Sequence, residues 1–428
     1  MSSPDTGISD KSILRAADIR GVAGLTLSAP TAEAIGRAFG SVVLRKGLRK
    51  IFVGGDGRLS TPELSAALIS GLTASGADVV DIGLCPTPML YFAVFATPET
   101  AGVMVTASHN SKEYNGFKML IDGAPFCGAD IDALGRMIDA GDFESGAGSV
   151  RREGFLTRYV DRLLTDYNRD GRDLTVVWDC GNATAGAVVP TLVKGLTGRH
   201  ILLNERIDGN FPAHAPDSSK PENLRELSET VLREKADLGL AFDGDSDRLG
   251  VVDSRGKMVG VDNLLPIFAE EILKSHPNAV FIADVKSGKS FPSEIERLGG
   301  RPLIWKTGHS FIKRKMRETG APLGGEMSGH ICFADKYFGF DDALYAAIRL
   351  LNIAGDRQNV PLQNRIDQIP ETFATPEIGI PCPDAEKFAV VEKIKTALTR
   401  DGIDFDATDG VKRTFPTTGW WLIRASNT

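Results

Sequence analysis

The chain has 428 residues, 42% hydrophobic and 25% charged, with a formal net charge of −7. That length is too great for one hydrophobic core and implies three or four domains of ordinary size. No Lys/Arg cluster and no long apolar run interrupts the acidic balance, which speaks against a nucleic-acid partner and against a membrane span.

The five cysteines (Cys85, Cys127, Cys180, Cys332 and Cys382) form no C-x-x-C pair. They suggest neither a disulfide framework nor a zinc site, and they fit a reducing cytoplasm. The polar N-terminus M-S-S-P-D-T-G-I-S-D is unlike a signal peptide.

Along the chain, I-F-V-G-G-D-G-R-L-S-T-P-E-L from Ile51 reads as a strand, a Gly-rich loop and a helix. As a dinucleotide fingerprint it fails, because Ser60 holds the last glycine position. Next comes V-M-V-T-A-S-H-N-S-K-E-Y-N-G-F-K-M, Val103 to Met119. Here an apolar strand empties into small polar residues, where α/β proteins place their chemistry. Ser108 could be a helix cap, a nucleophile activated by His109, or a phosphate carrier. Adjacent residues rarely face each other well, and no G-x-S-x-G elbow is present, which counts against the second reading. Lys118 in N-G-F-K is a candidate proton donor or electrostatic clamp.

A Gly/Ser-rich G-D-F-E-S-G-A-G-S follows Ala140 and marks a boundary. V-V-W-D-C-G-N-A-T-A-G from Val176 repeats the strand-loop pattern. The strand Leu238 to Phe242 then runs into D-G-D-S-D-R. Asp243, Asp245 and Asp247 repel one another unless a cation sits among them, and oxygen ligands suit Mg²⁺ or Ca²⁺. The EF-hand alternative fails, since Arg248 stands where glycine and Ser254 where glutamate is required. A phosphoserine at 108, carrying about −1.5 to −2 charge, opposite those aspartates would demand a divalent ion. The two motifs explain each other.

Beyond the boundary S-R-G-K after Asp253, V-F-I-A-D-V-K-S-G-K-S-F-P from Val280 repeats the pattern a third time, which implies three similar α/β domains. Its G-K-S is no P-loop, because position 283 is Ala283. K-T-G-H-S contributes His309. L-G-G-E-M-S-G-H places Glu326, Ser328 and His330 at alternating positions, so in an extended loop they would share one face. Proline density rises at I-P-E-T-F-A-T-P after Gln368, the last boundary, and R-A-S-N-T closes the chain with anion-binding groups. The domains expected are therefore 1–150, 151–256, 257–368 and 369–428.

T-A-S-H-N with N-G-F-K, D-G-D-S-D-R, G-E-M-S-G-H and R-A-S-N-T resemble, in that order, the four active-site loops of the α-D-phosphohexomutases, and most closely the bacterial phosphomannomutase/phosphoglucomutase group. The likeness runs from D-I-R-G-V at Asp18 to Thr428. It implies a heart-shaped α/β molecule, with three similar mixed-sheet domains and a smaller α+β domain, each lending a loop to a central cleft. It also implies a phosphorylated Ser108, with Mg²⁺ held by Ser108, Asp243, Asp245 and Asp247. Phosphoryl transfer would then run between C1 and C6 of glucose and mannose phosphates through a hexose 1,6-bisphosphate.

By the same resemblance Arg20, His109 and Arg248 surround the carrier, and Lys118 is the leading acid/base with His330 and His309 as rivals. Glu326, Ser328 and His330 grip the sugar. Lys286, His309, Arg424, Ser426, Asn427 and Thr428 hold phosphate. The protein is expected to be a monomer acting on phosphorylated hexoses.

The chain departs from the family at Ser111, where proline is usual, at Ser246 for glycine, and at Ala17 for a substrate-contacting aromatic. Relatives also continue past Thr428, so the fourth domain is expected to be incomplete. Two alternatives share the resemblance: a phosphoglucosamine mutase and a non-catalytic sugar-phosphate-binding relative.

Overall fold

The computed structural model describes residues 8, 10–358, 360–370, 372, 375, 377–383, 386–415 and 419–426. Two compact units divide the chain: residues 1–259 with 328–361, and residues 260–327 with 362–428.

The first unit carries two mixed sheets. In chain order the first is built from β1 (Ile19–Val22), β2 (Lys50–Gly55), β3 (Asp78–Leu84), β4 (Thr100–Val105), β5 (Tyr114–Ile121), β6 (Ala124–Pro125) and β7 (Val150–Arg152). The spatial order β1-β5-β4-β2-β3-β7 puts parallel β4, β2, β3 and β7 on one side and antiparallel β5 and β1 on the other. Parallel neighbours require crossovers, and the helices Thr61–Ser75 and Thr87–Phe95 supply them. β2 and β4 are buried along almost their whole length, which is why both read as apolar runs rather than alternating ones. Ile51, Val53, Val103, Val105 and Phe117 pack with Ile35, Phe39, Leu68 and Leu72 in one core.

The Gly/Ser-rich segment after Ala140 is packed rather than free. Gly146 N–H donates to the Ala74 carbonyl and Gly148 N–H to that of Thr73. A Cβ on Gly148 would stand 1.8 Å from the Ala77 carbonyl oxygen, so glycine is needed for the close approach.

The second sheet contains β8 (Leu174–Asp179), β9 (Gly198–Leu203), β10 (Leu238–Phe242), β11 (Leu249–Asp253) and β12 (Met258–Val259), ordered β12-β11-β10-β8-β9. β10 runs parallel to β8 and antiparallel to β11, so the aspartate loop is the turn of a hairpin. Val177, Ala241 and Val252 of this sheet pack beneath Leu227 and Val231 of the helix Arg225–Glu234.

In the second unit, β13 (Val280–Asp284) pairs in parallel with β14 (Arg301–Trp305) and β15 (Leu323–Gly325). The helices Ser290–Arg297 and His309–Thr319 make the crossovers. Near the C-terminus, Val411–Phe415 and Gly419–Ile423 form an antiparallel hairpin after the helix Lys387–Arg400.

Candidate active site

β4 ends at Val105, and the three residues after it deliver Ser108 at the carboxyl end of a parallel strand. Ser108 is 1% exposed and adopts φ +52°, a left-handed conformation that costs a non-glycine residue about 1–3 kcal/mol and is often stored at functional sites. Its Oγ donates to Asp243 Oδ2 at 2.7 Å across 135 residues of sequence. The aspartate loop passes so close that a Cβ on Gly244 would lie 2.2 Å from the Ser108 carbonyl oxygen, which explains glycine between the first two carboxylates.

Asp243, Asp245 and Asp247 are all 0% exposed, with carboxylate oxygens within 4.8 Å of one another. Asp243 Oδ1 accepts the N–H groups of Asp247 and Arg248 at 3.1 Å, which shapes the turn. Asp245 Oδ2 accepts Thr87 Oγ1 and, at 2.6 Å, Lys118 Nζ. Lys118 also pairs with Asp247 Oδ2. Ser246 has φ +61° and sets its hydroxyl 2.9 Å from Thr184 Oγ1. A hydrogen bond compensates the left-handed backbone.

The electrostatics are one-sided. Burial alone lowers the pKa of Lys118, but Asp245 and Asp247 outweigh it and hold the ammonium well above its ordinary range. Burial first, and Asp245 and Asp247 next, push Asp243 well above a normal carboxylate. Asp245 Oδ1 is buried with no hydrogen-bond partner. Three dry carboxylates with one orphaned oxygen, and a hydroxyl on the first of them, fit a hard divalent cation.

His109 Nδ1 lies 3.2 Å from Ser108 Oγ, so the expectation that these neighbours do not face each other is corrected; the left-handed turn at Ser108 swings them together. Burial, and then the nearby Arg248 and Arg20 cations, depress the His109 pKa well below normal, leaving the ring neutral. Arg20, on β1, is paired with Asp18 and donates to Asn110 Oδ1 at 2.7 Å. Arg248 Nε stands 3.9 Å from Asp243 Oδ2. His330 Nε2 is 3.2 Å from Asp247 Oδ1, and its Nδ1 is 3.1 Å from Ser328 Oγ. Of the proposed residues, the first unit thus brings together Ser108, His109, Lys118, Arg20, Arg248, Ser328 and His330 with all three aspartates.

In the second unit, Glu326 Oε1 accepts the N–H of Gly308 at 2.5 Å, just ahead of the helix His309–Thr319, where a carboxylate is favoured. Residues 327 and 328 lie in a turn and Gly329 has φ +103°, so the extended loop expected for Glu326, Ser328 and His330 is corrected. The glycines mark that turn, and the alternate-face argument fails there. His309 opens its helix, with Nδ1 3.0 Å from Lys313 Nζ. Lys286 pairs with Glu377 at 3.1 Å and Arg424 with Asp409 at 3.3 Å. Ser426 is exposed, while Asn427 and Thr428 lie outside the described residues.

Sequence reasoning gave no role to Thr87, which opens the helix Thr87–Phe95, or to Asn110, the last residue of T-A-S-H-N, although both contact these groups. It also passed over Asp284, whose Oδ1 accepts Met327 N–H at 3.2 Å and whose Oδ2 accepts Thr307 Oγ1 at 3.0 Å. The acid at the end of an apolar strand, in I-A-D-V-K, was the available signal.

Successive α/β domains built on parallel-centred sheets, with a hydroxyl and a carboxylate loop meeting at strand ends, define an α/β/α protein of the phosphohexomutase type. Residues 11–145, 157–256 and 261–373 match domains I, II and III of the family described as phosphoglucomutase/phosphomannomutase, alpha/beta/alpha. The chain belongs to that family. It is 46% identical over 417 residues to the phosphomannomutase/phosphoglucomutase of Pseudomonas aeruginosa, covering 97% of this chain and 89% of that one. The phosphoglucomutase of Neisseria gonorrhoeae is 41% identical over 422 residues, covering 98% and 91%. A crystal structure of a phosphoglucomutase/phosphomannomutase family protein from Burkholderia thailandensis superposes with a TM-score of 0.91 at 42% identity, covering 98% of this chain and 91% of that one.

Proposed function

We propose that this chain reversibly transfers a phosphoryl group between C1 and C6 of glucose and mannose phosphates, with Ser108 as the covalent carrier. The observation that carries the reading is the 2.7 Å hydrogen bond from Ser108 Oγ to Asp243, the first of three buried aspartates. Family membership supports the same chemistry.

In this reading phosphorylated Ser108 Oγ faces the free hydroxyl of a hexose phosphate. The P–Oγ bond breaks as the P–O bond to the sugar forms, and the hydroxyl proton leaves to a base. The resulting hexose 1,6-bisphosphate turns over and returns its other phosphoryl group to Ser108 Oγ. Asp243, Asp245, Asp247 and the Ser108 oxygen would hold Mg²⁺, which neutralises charge on the transferring group. Lys118 is the leading acid/base: as a buried ammonium 2.6 Å from Asp245 it gives a proton to Ser108 Oγ as the P–Oγ bond breaks, or clamps the phosphoryl oxygens, and His330 is the candidate to take the sugar hydroxyl proton. Neutral His109 lies too low in pKa to serve as an acid, while Arg20 and Arg248 supply fixed positive charge. His330 and Ser328 share sugar recognition with Glu326. Lys286, His309, Arg424, Ser426, Asn427 and Thr428 hold the non-reacting phosphate.

The working division at residues 150, 256 and 368 assigns one such loop to each of four domains. Every proposed group comes from a single chain, which suits a monomer. Cytoplasmic residence is supported by the spacing of the five cysteines, which offers no C-x-x-C pair and no disulfide framework. Among the described residues, no helix is long and apolar enough to cross a membrane.

A coupled assay converting glucose 1-phosphate to glucose 6-phosphate, with and without Mg²⁺ and with a trace of glucose 1,6-bisphosphate, tests the proposal. Turnover with glucosamine phosphates alone would favour the phosphoglucosamine mutase. Binding without turnover of any sugar phosphate would favour the non-catalytic relative.

A further inference from the structure

The loop G-G-D-G-R-L-S, which fails as a nucleotide motif, holds an ion pair absent from the mechanism above. Arg58 and Asp56 have side-chain exposures of 0% and 1%, with Arg58 Nε 3.0 Å from Asp56 Oδ2. The rest of the guanidinium is spent on one neighbouring loop. Nη2 donates to the carbonyls of Ser108 and Asn110, both at 2.7 Å. Nη1 donates to those of Ser111 at 2.5 Å and Tyr114 at 3.2 Å. Its face lies 5.1 Å from the centre of the Phe211 ring.

Asp56 reaches the same loop from the other side. Its Oδ2 accepts Thr106 Oγ1 at 2.8 Å, and that hydroxyl oxygen in turn accepts the Ser108 N–H at 2.9 Å. The N–H and the C=O of Ser108 are therefore both traced to one buried ion pair, and Ser108 is the residue held at φ +52°. An isolated serine has little reason to stay there. A planar fork of donors spans several carbonyls at once, which a lysine ammonium cannot do.

We propose that Asp56 and Arg58 are positioning residues that lock the Ser108 loop in its left-handed conformation, and so set the turnover of the phosphoryl carrier without setting sugar-phosphate affinity. The inference rests on Ser108 being the carrier. A buried ion pair that merely supports the core is the competing explanation, and kcat per folded enzyme, read beside local hydrogen exchange, separates the two.

Arg58→Lys keeps the charge and removes the fork. A carrier misplaced by about 1 Å loses on the order of 10²-fold in rate. The expected result is a kcat lowered about 10- to 100-fold with KM within about threefold of the wild type. Hydrogen exchange across residues 106–111 should rise at least about tenfold while exchange elsewhere in the first sheet is unchanged. Guanidinium ion should restore part of the kcat of Arg58→Ala. If the Arg58 variants do not fold, Thr106→Val breaks only the link from Asp56 to the Ser108 N–H and should move kcat and exchange in the same direction by a smaller factor.

Folded Arg58→Lys with wild-type kcat and wild-type exchange would overturn the inference. So would a loss of kcat that disappears once rates are divided by the concentration of folded enzyme, because unfolding lowers apparent kcat and leaves KM unchanged. Should the wild type itself show no turnover, the mutase reading fails, and exchange at residues 106–111 still decides whether Arg58 holds the loop.

Discussion

Around Ser108, three fully buried carboxylates face the Lys118 ammonium at hydrogen-bond distance and the Arg248 guanidinium at 3.9 Å, two cations for three acids. Around Lys286 and Arg424 the balance is the reverse: each cation has a carboxylate of its own, Glu377 at 64% side-chain exposure and Asp409 at 22%. The first region holds surplus negative charge in a dry setting, which is costly unless something positive joins it. The second pairs Lys286 with an exposed carboxylate and Arg424 with a half-buried one that also accepts the Thr307 N–H, so each cation is already matched. The difference separates two kinds of site. On the proposed function, the first would keep its charge in place during the reaction and the second would hand its charge to a ligand on binding.

The largest effect should come from removing the carrier. Ser108→Ala should lower turnover by on the order of 10⁶-fold, the scale seen when a nucleophile is deleted. Sugar-phosphate affinity measured by calorimetry should barely change. Loss of both together would show that Ser108 belongs to the architecture and not to the chemistry.

Lys118→Met sharpens the charge argument. Activity should fall by about 10²- to 10⁴-fold. Without divalent ions the variant should also lose about 3–5 kcal/mol of stability, because the aspartates are left unpaired. Added Mg²⁺ should then raise its melting temperature more than it raises that of the wild type. An equal rise in both would mean that Lys118 does not offset the aspartates.

Arg424→Ala tests the second region. A charge-assisted hydrogen bond to phosphate is worth about 1.5–3 kcal/mol, so KM should rise roughly 10- to 100-fold while kcat stays near wild type. A pure kcat effect would place Arg424 with the first region.

The smallest effect is on stability alone. Burial, and after it the neighbouring Glu326 carboxylate, raises the Asp284 pKa from 3.8 to about 6. The native state then binds a proton that the unfolded chain has released between about pH 4 and pH 6, so this group's contribution falls as pH rises through that window and is flat above it. Asp284→Asn mimics the protonated acid. Relative to wild type it should gain on the order of 3 kcal/mol between about pH 4 and pH 7 in urea unfolding. A constant difference across that range would show that Asp284 titrates normally.

Much of the first region was legible in sequence because its chemistry is written in consecutive residues. D-G-D-S-D admits few explanations, and a serine loop after an apolar strand asks for a partner. The strands at Ile51, Val176, Leu238 and Val280 were visible for a related reason: strands buried on both faces are continuous apolar runs. The loop from Glu326 to His330 was harder to read. Glu326, Ser328 and His330 alternate in sequence, yet Gly329 at φ +103° turns the chain and removes the regular two-residue period on which that argument depended. Arg58 was hidden because, beyond Asp56 two residues earlier, its side chain's acceptors are backbone carbonyls, which leave no trace in side-chain pattern.

Local sequence determined which groups are present: the hydroxyl, the three acids, the lysine and the glycines that let loops pass closely. Only tertiary structure decided which of them meet. Asp243 lies 135 residues from Ser108 along the chain, and no short-range preference encodes a contact of that reach. Sheet packing encodes it, by carrying the ends of β4 and β10 to one place. Burial there then turns ordinary acids and a lysine into a charge cluster whose ionisation no peptide of the same sequence would show.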